Sequence, residues 1–104
     1  MGKTKVETSS VEMLVNRLRQ ELPRLREAYA VRSLELFGSY VRGEQRKGSD
    51  LDILVEFSEV PGMLKFLDME RELSQLLGVE VDLVQKEVLK PAIGKRIAGE
   101  VIPI

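Results

Sequence analysis

Gly38-Ser39-Tyr40-Val41-Arg42-Gly43, then five residues, then Ser49-Asp50-Leu51-Asp52 form the stretch on which the fold turns. It joins two apolar runs. Val31 to Phe37 precedes it as a short strand-like segment, and Leu51, Ile53 and Val55 follow it, alternating with Asp52, Leu54 and Glu56. That alternation is the period of two of a strand. Between them Glu44 to Ser49 (EQRKGS) is polar and contains Gly48, which reads as a loop. The unit is therefore strand, turn, strand. Asp50 and Asp52 stand two apart at the head of the second strand, so both are expected on one face, their Cβ atoms roughly 6–7 Å apart.

Working outward, Ser9 and Glu12 carry a capping-box pattern ahead of Val11, Leu14, Leu18 and Leu22 at helical spacing. This predicts a helix from about Ser9, with residues 1–9 as a flexible tail. Pro23 is expected to end or kink it, leaving a second helical stretch to about Tyr29. Downstream, Pro61-Gly62 opens a helix through Met63, Leu64, Phe66, Leu67, Leu73, Leu76 and Leu77, which Gly78 stops. Val79, Val81 and Leu83 alternate with Glu80, Asp82 and Val84 as a third strand. A last helical stretch follows Pro91, and Val101 to Ile104 can add a short strand. The order predicts an α+β fold in a single domain over 1–104: a small mixed sheet of three to four strands with helices packed against one face.

Composition narrows the chemistry. The 104 residues are 43% hydrophobic and 32% charged, and 16 basic against 17 acidic residues give a net charge of −1. Such a balance argues against direct nucleic-acid binding, which calls for an excess of Lys and Arg. With no cysteine there is no thiolate chemistry or disulfide, and with no histidine a general base must be a carboxylate, lysine, tyrosine or metal-bound hydroxide. The first ten residues lack a signal-peptide core, and no apolar run reaches the roughly 20 residues of a membrane span. A cytoplasmic location is the expectation.

Gly38-Ser39 closes a strand where backbone amides can approach phosphate oxygens without a Cβ in the way, and Ser39 adds a hydroxyl. Arg42 offers a fork of donors suited to phosphate. Carboxylates at Asp50 and Asp52 suit magnesium, with manganese as the alternative, alongside substrate phosphates. Each feature alone has a plainer reading: a turn, a loop edge, a solvated arginine. Together they put metal ligands and phosphate donors in one unit, as nucleotidyl transfer requires. Arg46-Lys47 and the group Lys86, Lys90, Lys95 and Arg96 read as solvated surface, and Tyr29 and Tyr40 as packing residues.

On these residues the chain resembles the minimal nucleotidyltransferases of the DNA polymerase β-like superfamily, with Val41-Arg42-Gly43 where Ala-Arg-Gly is usual. The resemblance implies the polymerase β-like nucleotidyltransferase fold, metal binding by Asp50 and Asp52, and a triphosphate cradle at Gly38 and Ser39. It also implies a third carboxylate on a neighbouring strand, as base or extra ligand. Asp82, in Val81-Asp82-Leu83-Val84, matches that position and is expected to be partly buried; Glu80 is its rival. The family further implies an antitoxin that transfers AMP from ATP to a tyrosine hydroxyl of a small all-helical HEPN toxin. The alternative is a binding module that neutralises its partner by occlusion alone. Homo-oligomerisation stays open.

Overall fold

The computed structural model describes residues 2–46, 48–88 and 100–104. The first helix, α1, runs unbroken over Gly2–Tyr29 with Pro23 inside it. It begins ahead of Ser9, which corrects the expected start, and of the two outcomes expected at Pro23, a stop or a kink, the stop does not occur. Proline deprives the Arg19 carbonyl of its helical partner. Pro23 and Arg19 are both exposed, so water can take that carbonyl. Leu18 and Leu25, fully buried on either side of the proline, anchor both halves to one core. Burial on that scale outweighs a local penalty of about 3 kcal/mol. The helix ends at Ala30, in the left-handed region at φ 59°.

The strands are β1 (Val31–Phe37), β2 (Leu51–Phe57), β3 (Val81–Gln85) and β4 (Ile102–Pro103), and the sheet order is β3-β2-β1-β4. β1 pairs antiparallel with β2 and with β4, while β2 and β3 are parallel. A parallel pair needs a crossover, and α3 (Met63–Leu77) supplies it. Gly78 ends α3 in the left-handed conformation at φ 72°. The four-stranded mixed sheet is the architecture the alternation predicts. A 3-10 turn over Lys86–Val88 follows β3; the helix expected after Pro91 lies outside the described residues.

One sheet face carries the core. Leu51, Ile53, Val55 and Phe57 of β2 pack with Leu34 and Leu36 of β1, Val81 and Leu83 of β3, Leu14, Leu18 and Leu25 of α1, and Met69 and Leu73 of α3. Val31 and Leu34 both reach this core although their spacing is odd. A register shift between Val31 and Ser33 rephases the strand. α1 and α3 are tied by Tyr29, whose hydroxyl donates to Glu72 at 2.6 Å, and by an ion pair from Arg24 to the same carboxylate. The start of α3 is less buried than its apolar composition suggests: Met63, Leu64 and Leu67 are exposed.

Candidate active site

Gly38 follows β1 and opens a one-turn helix, α2 (Ser39–Arg42), where the sequence suggested a plain turn. Its carbonyl accepts from the amides of Val41 and Arg42 at 3.1 and 3.2 Å, and Gly43 closes the turn at φ 71°. Tyr40 is buried and pins the helix to the core, so it serves packing as expected. Gly38 itself sits at φ 85°, ψ −155°, a backbone region that essentially only glycine occupies. A Cβ there would collide with Asp52 Oδ2 and stand 3.1 Å from Asp52 Cγ. The glycine is required twice, by its own backbone and by the carboxylate beside it.

Asp52 is the second residue of β2, in register with Phe37 on one side and with Asp82 of β3 on the other. Its flanking residues Leu51 and Ile53 are fully buried in the core, so its side chain must leave the sheet by the opposite face. Burial pushes its carboxyl up to about 6, and the neighbouring charges of Asp82 and then Asp50 push the same way, against Arg42. Three acidic residues thus share one neighbourhood at the amino ends of β2 and β3. Asp50 lies just before β2 and is exposed.

Asp82 is also exposed, which corrects the expectation of partial burial. Its neighbours Val81 and Leu83 turn into the core, and the same alternation that buries them leaves Asp82 on the open face. Glu80 precedes β3; its carbonyl accepts from the Leu51 amide at 2.8 Å, and it has no strand partner in the sheet register.

Arg42 is held rather than free. Its Nε donates to Glu44 at 2.9 Å and its Nη1 to Glu100 at 3.5 Å. Both pairs are solvent-exposed, so they hold the guanidinium weakly. Glu100 lies 58 residues away in sequence, and no local pattern could have pointed to it. Ser49, part of the motif, closes the loop: its hydroxyl accepts from the Arg46 amide at 2.7 Å. Arg46 is exposed and Lys47 lies outside the described residues, as do Lys90, Lys95 and Arg96. Lys86 pairs with Glu35 at 3.4 Å.

Among the described residues no group of three acidic side chains is arranged to hold a metal ion by itself. The donor set nevertheless fits a hard cation. Carboxylate oxygens are the ligands magnesium prefers, and such sites are commonly completed by water and substrate phosphates. Burial first, and then the charges of Asp82 and Asp50, raise the Asp52 carboxyl, and a divalent cation would offset the second of these.

Residues 15–102 match the family model of the nucleotidyltransferase domain. Over 78 residues the chain is 53% identical to the protein adenylyltransferase MntA of Thermococcus cleftensis, covering 75% of this chain and 79% of that one. A solved structure described as a candidate minimal nucleotidyltransferase superposes with a TM-score of 0.74 at 39% identity, over 89% of this chain and 94% of the other. A toxin–antitoxin complex crystallised with AMP-PNP shares the fold at 24% identity and a TM-score of 0.69, over 85% of this chain and 69% of that one. The chain thus shares the fold of a minimal nucleotidyltransferase and belongs to the nucleotidyltransferase domain family, among its minimal members.

Proposed function

We propose that this nucleotidyltransferase transfers AMP from ATP to a tyrosine hydroxyl of a small helical HEPN-type toxin, and so acts as an antitoxin. The observation that carries the reading is Asp52, registered against Asp82 and packed against a Gly38 that no other residue can replace. The identity of 53% to a protein adenylyltransferase supports the choice of AMP and of a protein acceptor.

In this reading Gly38 and Ser39 receive the triphosphate, with backbone amides and the Ser39 hydroxyl as donors. Arg42 exchanges its exposed carboxylate partners for phosphate oxygens, a better match for its fork of donors. Asp50, Asp52 and Asp82 would hold magnesium, with manganese as the alternative. When bound, that metal supplies charge neutralisation on the phosphates and activation of the attacking oxygen. Asp82 is exposed, so an acceptor on another protein can reach it, and its carboxylate takes the proton from the incoming hydroxyl. The oxygen–phosphorus bond to AMP forms as the bond to pyrophosphate breaks.

The test is mass spectrometry of the purified toxin after incubation with this chain, ATP and magnesium. The expected result is AMP on a toxin tyrosine, lost when EDTA replaces the metal. Full neutralisation of the toxin with no added AMP would instead establish occlusion.

A further inference from the structure

Among the described residues β3 is an edge strand, with β2 on one side and no strand on the other. Edge strands leave alternate amides without partners, and they fray more readily than central ones. Here two of those amides are taken by side chains of α3. The Val81 amide donates to Ser74 Oγ at 3.0 Å, and the Leu83 amide donates to Glu70 Oε2 at 2.9 Å. Ser74 Oγ in turn donates to the Glu70 carbonyl at 3.1 Å. The residue between the two clamped amides is Asp82. Its own backbone is registered against Asp52 on the inner side of the strand. Asp82 is thus fixed from both edges: by the sheet on one, by two α3 side chains on the other.

We infer that Glu70 and Ser74 are positioning residues for nucleotidyl transfer, clamping β3 on both sides of Asp82 so that its carboxylate stays opposite Asp52. The inference rests on the role proposed for Asp82. Neither residue reaches the reacting atoms, and their action runs through the backbone of Val81 and Leu83. The requirement on residue 70 is an acceptor oxygen at the end of a side chain of that length, which glutamine also provides. The requirement on residue 74 is a hydroxyl, which threonine retains.

The test compares Glu70→Ala, Glu70→Gln and Ser74→Ala with the unaltered chain. Amide exchange at Val81 and Leu83 is read by NMR, with Ile53 and Leu36 in the centre of the sheet as controls for global stability. Steady-state transfer of AMP to the toxin is measured alongside it. Loss of a hydrogen bond to a charged group should speed Leu83 exchange in Glu70→Ala by about tenfold to a hundredfold, with the controls unmoved. A displaced carboxylate should lower kcat by about tenfold or more. KM for ATP should hold within about threefold, because Gly38, Ser39 and Asp52 are untouched. Glu70→Gln should restore both readouts.

Leu83 exchange that rises while kcat stays put makes the clamp purely structural and overturns the inference. So does unchanged exchange in Glu70→Ala, or a Glu70→Gln variant as impaired as Glu70→Ala. An unaltered chain that transfers no AMP removes the proposed function itself, and the positioning role falls with it.

Discussion

The carboxylate of Asp52 occupies the space that a side chain at Gly38 would need. Asp52 on β2 is in register with Phe37, the last residue of β1, and Gly38 is next along the chain. What looks in sequence like a flexible turn glycine is a steric partner of a candidate metal ligand.

Gly38→Val should therefore be far more damaging than Ser39→Ala. The valine must adopt a backbone conformation reserved for glycine, a cost of about 1–3 kcal/mol, and must also displace Asp52. Ser39→Ala removes one hydroxyl and should cost about 1 kcal/mol of nucleotide binding. Chemical denaturation and ATP calorimetry read the two effects. Part of the Gly38 penalty should vanish in an Asp52→Ala background, since the collision is gone; strict additivity in that double-mutant cycle would refute the steric account.

Asp52→Asn should make the metal-free protein more stable while abolishing transfer. The carboxyl is raised to about 6 in the fold from an ordinary value of 3.8, so the fold favours its protonated form. The contribution of this group is most favourable below pH 3.8 and is lost as pH rises through about 6. At pH 7.5 the full penalty applies, and asparagine removes it. Discounted for partial exposure, the gain is about 1 kcal/mol, or several degrees in Tm. Melting in EDTA at pH 7.5 and at pH 4 checks it: the advantage should shrink in acid.

Asp82→Asn should leave the fold and most ATP binding in place, because the residue is exposed and its backbone bonds are unaffected. AMP transfer should fall by about 10²–10⁴-fold, the usual contribution of a general base. Undiminished labelling of the toxin would move the role to another group, with Glu80 the first to examine.

The Tyr29–Glu72 bond joins α1 to α3 and sets a stability window. The hydrogen bond to Glu72, then burial, raises the Tyr29 hydroxyl to about 12 from 10, so its contribution is complete below pH 10 and is lost between 10 and 12. The same bond lowers Glu72 from 4.5, so its contribution is complete above 4.5 and is lost as pH falls further. Tyr29→Phe should cost about 1–2 kcal/mol at neutral pH and much less at either extreme. Urea denaturation across the pH range reads this, and a cost independent of pH would assign it to packing instead.

The sequence by itself determined the strands, the crossover helix and the motif. Alternation of Leu51, Ile53 and Val55 and the stop at Gly78 are local signals, and local geometry reads them directly. Tertiary structure decided the rest. Pro23 stays in helix because Leu18 and Leu25 are buried on both sides of it, a fact of packing that propensity does not contain. Asp82 became the partner of Asp52 only through parallel register, and Arg42 met Glu100 across 58 residues. Such pairings depend on how strands and chain ends are brought together, and no window of neighbouring residues encodes that.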